Sequence, residues 1–329
     1  MIPGPRNLIT DVDGLVVGNA EDSHVLTGTT VVLPDAPAIA GVAVHGGAPG
    51  TRETDLLDPS CRVPTIDGIC LSGGSVYGVG AGDAVVQWLR DEDRGFRIGP
   101  ELLVPIVPGA IIFDLTSGGA GDWDTPPWPG LARQACAAAD RDFALGNAGA
   151  GLGARAGRIK GGLGSASAVD PASGLQVGAL IVANPVGSVL MPDGRSFWAW
   201  PLEQNGEFGG RVPQAQPTDA PLDIPAESRL AGNTTIGVVA TNFRFDKADM
   251  TRIAMMAHDG LARAIRPVHT PFDGDTIFAL STGVAGSSPA DAMTLARVGA
   301  IAADCVARAI GRAVYEAKAA GGVPAWSDL

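Results

Sequence analysis

The sequence predicts a layered α/β sandwich, and three observations carry that expectation. Short β-branched runs alternate with turn signals in the first third, and helical periodicity appears in separate blocks. The strands are grouped around those helical blocks, which favours stacked layers over strict βαβ alternation. Apolar residues make up 46% of the 329 and charged ones 18%, enough to fill a large core and too apolar for a disordered chain.

The elements follow in order. "LITDV" (8–12), "LVVG" (15–18), "TTVVL" (29–33) and "AGVAV" (40–44) read as strands separated by Asp-Gly, Gly-Asn and Pro-Asp turns. Residues 77–93 read as a helix with Ala84, Val85, Trp88 and Leu89 on one side, and 130–144 as a second, alanine-rich helix. "GALIVANPVG" (178–187) is a buried strand ending at Asn-Pro. From about 201 to 230 periodicity disappears among spaced prolines, the composition of a flexible linker. Order returns with the strand "TTIGVVATN" (234–242), then a helix over 247–265 capped by Asp246, then the strand "TIFALST" (276–282). The last helix is expected to begin at Ser288-Pro289, with Asp291 in its first turn. The 46 glycines and 25 prolines lack collagen periodicity and mark tight turns and close backbone approaches.

A net charge of −12 argues against nucleic acid or an anionic membrane as partner. Four cysteines without a CxxC pair suit a reducing compartment, and no apolar run reaches the ~18–20 residues of a bilayer span. "MIPGPRNLIT" lacks the basic and apolar regions of a signal peptide, so a cytoplasmic protein is expected.

The four histidines, His24, His45, His258 and His269, form no HxH or HExxH pattern, and "DGD" at 273–275 lacks calcium-loop spacing. Neither a metal nor another cofactor is expected. His258 reads as structural. The glycine-rich stretches 146–157 and 160–167 lack the order of a phosphate loop, and close packing explains them better. No nucleophile elbow occurs, and Ser72 and Ser75, candidates by exposure, have no histidine and acid nearby in sequence.

One nucleophile needs no histidine: a threonine at a chain terminus, whose own amine is the base. "AGNTTIGVV" (231–239) sets Thr234 between a pliable segment and a rigid strand, with two carboxylates following in "HTPFDGDT". A cut before Thr234 would expose such a terminus; an ordinary Asn-Thr-Thr turn is the alternative.

Blocks along nearly the whole chain resemble the self-processing L-aminopeptidase/D-esterase (DmpA) type, peptidase family S58, which also holds β-peptidyl aminopeptidases and the nylon-oligomer endo-hydrolase. They include "GGAPGTRETDLLDP", "LSGGSVYGVGAGDAV", "KGGLGSAS", "ANPVG", "GNTTIGVVATN" and "AHDGLARAIRPVHTPFDGDTIFALSTG". The resemblance implies a four-layer αββα sandwich similar to N-terminal-nucleophile hydrolases and a single catalytic domain, 1–329. It implies cleavage between Asn233 and Thr234 into a large subunit, 1–233, and a small one, 234–329. It also implies Thr234 as nucleophile, Asn184 in the oxyanion hole, and Asp273 and Asp275 as the acidic pair seen in the nylon-oligomer hydrolase. Lys160 and Tyr77 are carried with them, Tyr77 on the substrate side. The aminopeptidase branch has serine-x-glutamate and a serine nucleophile instead, so its substrate preferences transfer less well. The activity implied is hydrolysis of peptides or short amide oligomers, in a homo-oligomer (a tetramer of processed pairs). An acyltransferase of the ornithine acetyltransferase type, and an unprocessed small-molecule-binding protein, are the competing readings.

Overall fold

Two five-stranded sheets lie face to face, each covered on its outer side by helices. The computed structural model describes residues 1–117, 123–214, 233–286 and 290–329. Strands β1 (Leu15–Asp22), β2 (Thr27–Pro34), β3 (Ile39–Val44), β4 (Thr51–Arg52) and β5 (Ile69–Ser72) come first. Helices α1 (Ser75–Gly78) and α2 (Ala81–Asp91) follow, then a small hairpin of β6 (Phe96–Ile98) and β7 (Leu102–Val104). Next come β8 (Gly109–Ile111) and α3 (Trp128–Ala137). A second hairpin, β9 (Arg155–Ala156) and β10 (Ile159–Lys160), leads into the long antiparallel pair β11 (Gly162–Asp170) and β12 (Leu175–Ala183). The chain continues with β13 (Ile236–Thr241), α4 (Lys247–Ala264), β14 (Thr276–Ser281) and α5 (Ala292–Tyr315). One sheet runs β1-β2-β5-β8-β4 and the other β11-β12-β13-β14-β3.

Between the sheets, Val17, Val32 and Leu71 of the first share a buried cluster with Leu180, Val238 and Phe278 of the second. The alternate residues Ile181, Val239 and Ile277 enter a separate cluster with Leu261 of α4 and Ile310 of α5. On the far side, Val85 of α2 and Leu131 of α3 cover Val31 and Leu33. The layers are thus αββα. Strands buried on both faces have no polar side, which is why β13 and β14 read as unbroken apolar runs.

Several boundaries differ from expectation for local reasons. "LITDV" is a 3-10 turn over Ile9–Asp11, because the Asp11 carboxylate accepts the N–H groups of Arg6 and Leu8 and Ser165 Oγ accepts from Ile9 N–H. The expected helix over 77–93 is two pieces, α1 and α2. That over 130–144 stops at Ala137 because Asp140 bridges Val17 on the edge strand β1. Asp246 caps α4 as expected, its side chain accepting from Asp249 N–H at 2.8 Å. Asp291 is the N-cap of α5 and not a first-turn residue; it accepts from Thr294 N–H. Ser288 and Pro289 lie outside the described residues.

The stretch expected as a flexible linker from 201 is packed where it begins. Phe208 is buried against Phe197, and Glu207 pairs with the buried Arg308 at 2.6 Å. Its remainder, 215–232, lies outside the described residues. Among the described residues no helix is long and apolar enough to cross a membrane.

Candidate active site

Strand register gathers the candidate residues at one end of the second sheet. β13 and β14 are parallel, with Ile236 opposite Thr276, so the residues before them also meet: Asn233 bridges Asp273. β12 runs antiparallel to β13, with Val182 opposite Ile236, and so delivers Asn184 beside Thr234. β11 starts at Gly162 opposite Ala183, which brings Lys160 to the same end. β3 ends at Val44 opposite Thr276 and leaves His45 beside Asp275. Five segments far apart in sequence converge because all five strands begin or end there.

Thr234 is buried, 3% exposed. Its N–H donates to the Asn184 carbonyl at 2.8 Å, and its hydroxyl donates to the Asn233 carbonyl at 2.5 Å. The Gly274 N–H donates to that same Asn233 oxygen at 2.9 Å. The Asn184 side chain is oriented by Arg155 N–H, which donates to its Oδ1 at 2.9 Å, leaving Nδ2 on the Phe113 carbonyl at 3.3 Å. Gly46, in the "GGAPG" block, must be glycine: a Cβ there would collide with the backbone of Asp273 and Asp275.

Among the described residues, neither carboxylate bonds Thr234 itself. Asp273 accepts from Val186 N–H at 3.0 Å and from the Thr270 hydroxyl at 2.5 Å, tying the Asn-Pro turn to the "DGD" loop. Asp275 accepts from Thr235 N–H at 2.8 Å and from the His269 ring at 2.7 Å. Burial, then the neighbouring Asp275 carboxylate, raises the pKa of Asp273 above the ordinary carboxylate value, against the hydrogen bonds that lower it. His269 has φ +53°, which lets its N–H and its ring both reach Asp275 Oδ2.

Lys160 is 2% exposed, and its ammonium donates to the carbonyls of Gly151, Ala154 and Gly161 at 2.8–2.9 Å. Burial pulls its pKa to about 7, and Asp114 opposes that shift. Three carbonyl acceptors demand three N–H donors, so this geometry is that of the ammonium. The effect is to fold the turn that presents Arg155 N–H to Asn184. Tyr77 stands apart, half-exposed, edge-on to Trp123 at 5.0 Å and 6.3 Å from Trp128. Trp128 donates to Thr27 Oγ, which donates to Asp114, next to Phe113. No bond joins Tyr77 to Thr234 among the described residues; Phe113 enters the site through its backbone carbonyl, which accepts from Asn184 Nδ2. Ser72 is buried and bonded to Thr29, not an exposed candidate.

Sequence spacing missed the Gly274 N–H, Asp114, and a cluster of His45, His258 and His269. The Gly274 donor had a legible signal, the "DGD" between the two candidate acids. The histidines had none, since they come from three separate elements.

The sequence model of peptidase family S58 matches residues 7–325. An uncharacterised aminopeptidase of Mycobacterium tuberculosis is 43% identical, covering 98% of each chain. A 6-aminohexanoate-oligomer endohydrolase of Kocuria sp. is 31% identical over 85% of this chain and 76% of its own. Among solved structures, the L-aminopeptidase D-Ala-esterase/amidase of Ochrobactrum anthropi, a variant of the Ntn hydrolase fold, superposes with a TM-score of 0.74 at 23% identity. That match covers 98% of this chain and 90% of that one. The fold is therefore that variant of the N-terminal-nucleophile hydrolase fold. The chain is a hydrolase of amide bonds and belongs to peptidase family S58.

Proposed function

We propose that this amide hydrolase activates itself by cutting between Asn233 and Thr234, and that Thr234 is then the nucleophile toward substrate. The observation that carries the reading is the Asn233 carbonyl. Its oxygen accepts from the Thr234 hydroxyl at 2.5 Å and from Gly274 N–H at 2.9 Å, so an attacking group and an oxyanion donor flank one peptide bond. Thr234 Oγ adds to the Asn233 carbonyl carbon and its proton passes to the Thr234 nitrogen as the C–N bond breaks. An ester remains. Water hydrolyses it, leaving a carboxylate on Asn233 and a free amine and hydroxyl on Thr234.

Before the cut that nitrogen is an amide and cannot act as a base. Afterwards it is an α-amine of ordinary pKa ~7.7–8.0, suited to general-base work at neutral pH. The Asn184 carbonyl, 2.8 Å away in the uncut chain, is placed to keep it oriented. The hydroxyl then attacks a substrate amide, the amine carries its proton to the leaving amine, and water releases the acyl group. Gly274 N–H and Asn184 Nδ2 are the donors for the developing oxyanion. Asp273, Asp275 and Lys160 act as positioning residues, through Val186, Thr235 and Arg155 respectively. Tyr77, half-exposed beside Trp123 and Trp128, is assigned to the substrate side on the family resemblance alone. The substrates are peptides trimmed from the amino end or short amide oligomers, and the processed pairs assemble as a homo-oligomer.

Denaturing gels and intact mass should show chains 1–233 and 234–329, the second beginning with threonine. Thr234→Ala should give one folded, inactive chain. If that variant still splits at the same bond, the nucleophile is wrong. Screening p-nitroanilides, β-peptides and aminohexanoate oligomers, with ornithine as competing acceptor, then assigns the substrate and separates hydrolysis from acyl transfer.

A further inference from the structure

His45 follows β3, His258 lies on α4 and His269 precedes β14, and one ring nitrogen from each stands within 4.8 Å of the other two. Hydrogen bonds fix the tautomers. His258 Nε2 is 2.9 Å from the Ala43 carbonyl, an acceptor, so the proton is on Nε2 and the lone pair on Nδ1. That Nδ1 is buried and has no partner. His269 Nδ1 is 2.7 Å from Asp275 Oδ2, so in the neutral ring the proton sits on Nδ1 and the lone pair on Nε2. A ring N–H held by a carboxylate or backbone carbonyl, with the other nitrogen bare, is the outer-shell pattern that orients metal-binding histidines.

We propose that His45, His258 and His269 bind one divalent transition-metal ion of the zinc class, with the fourth position open to solvent beside His45. Three imidazoles without thiolate suit Zn²⁺, Co²⁺ or Ni²⁺, and not the hard-oxygen ions Mg²⁺ and Ca²⁺. The His45 and His258 rings stack at 3.9 Å, 24° apart. An ion lies in the plane of each ring it binds, so binding turns His45 out of this stack; His45 is exposed at the end of β3 and can turn. Zn–N bonds of ~2.0–2.1 Å set tetrahedral nitrogens roughly 3.3 Å apart, so the cluster tightens by about an ångström or more. Burial keeps His258 below the ordinary histidine pKa, and the neutral ring is the ligand form. The ion is tied to the Thr234 strand by two bonds, His269 to Asp275 and Asp275 to Thr235 N–H. The role is that of a clamp on that strand, separate from the self-cleavage proposed above.

The test uses the full-length protein after chelation and dialysis, titrated calorimetrically with Zn²⁺ and, in parallel, with Co²⁺ followed by visible absorption. One ion per chain, a four-coordinate Co²⁺ band and a higher melting temperature are expected. The exposed His45→Ala variant, with its fold checked by circular dichroism, should bind Zn²⁺ at least about 10–100-fold more weakly. His258→Gln should move the affinity the same way. No stoichiometric uptake by the parent, or parent-like affinity in His45→Ala, would overturn the proposal. Ion uptake is read directly, so the result stands whether or not the chain cuts itself.

Discussion

Replacing Gly274 by alanine puts one methyl group between the two segments that meet at Thr234. A Cβ at this position would lie 2.8 Å from Thr234 Oγ and 2.7 Å from the Ala48 carbonyl oxygen, with Pro49 Cα at 3.1 Å. Gly274 is not among the residues with left-handed backbone, so alanine meets no conformational penalty and the cost is steric. The Ala48 oxygen is backbone, and Thr234 Oγ sits on a short β-branched side chain held by its bond to the Asn233 carbonyl. Ala48 is pinned by its own N–H to the Asp273 carbonyl at 2.8 Å, and Thr234 Oγ is the proposed attacking atom. The methyl must therefore push the 273–275 segment away, and the Gly274 N–H retreats with it.

Loss of one oxyanion donor costs about 10²–10³ in rate, or roughly 3–4 kcal/mol of transition-state stabilisation. Gly274→Ala should slow the cut between Asn233 and Thr234 by about 10²-fold, taking the lower end because the N–H is displaced and not removed. The assay is the appearance of the two fragments on denaturing gels during incubation of freshly purified chain. A melting curve alongside establishes that the variant is folded. A folded Gly274→Ala chain that cuts at the parent rate would show that this N–H does not stabilise the oxyanion.

Two further predictions follow from the same geometry. Asn184→Ala should lower kcat for amide substrates by about 10²–10³-fold with KM little changed, because it deletes a transition-state donor; activity within a few-fold of the parent would remove Asn184 from the oxyanion hole. Asp114 gives a pH signature. Burial pushes its carboxyl from 3.8 up to about 6, against the bonds from Thr27 and Gly74. Between those values the folded chain binds more protons than the unfolded one, so this group's contribution makes stability fall as pH rises through that window, by about 3 kcal/mol, and levels off above it. Asp114→Asn should lose that component in urea unfolding between pH 4 and 7, and curves that stay parallel to the parent's would refute it.

The second sheet was the most legible part of the chain because its strands are buried on both faces. β13, α4 and β14 fall within two residues of their expected bounds, each marked by apolar runs or by the Asp246 cap. The misread segments are those where a distant partner outbids local preference. "LITDV" has strand composition, yet Asp11 and Ser165 take its N–H groups; the alanine-rich helix stops where Asp140 finds Val17. Within the site, Asn233, Thr234, Asp273 and Asp275 lie in two short blocks and were readable together. His45, His258 and His269 were not, because only the order β13-β14-β3 and the packing of α4 bring them together.

A chain terminus is ordinarily the least ordered part of a protein, and a terminal nucleophile must be among the most ordered. The second sheet reconciles the two demands. β13 is a central strand, paired with β12 on one side and β14 on the other from Ile236 onward. The residue between the proposed cut and that pairing, Thr235, is held by three separate means. Its N–H donates to Asp275 at 2.8 Å, its carbonyl accepts from Thr276 N–H at 3.1 Å, and its side chain is fully buried. Cutting before Thr234 breaks none of these. It would release Asn233, whose own N–H and carbonyl are tied to Phe272 and Gly274, and so would exchange two backbone bonds for an open approach to the hydroxyl. Because the proposed cut would put β12 in one product chain and β13 and β14 in the other, the sheet would also hold the two together after scission. Self-cleavage at an edge strand would free a frayed end. At this central strand it would free a hydroxyl and an amine on a fixed support, which is the reason the position, and not merely the residue type, would suit Thr234 to the proposed chemistry.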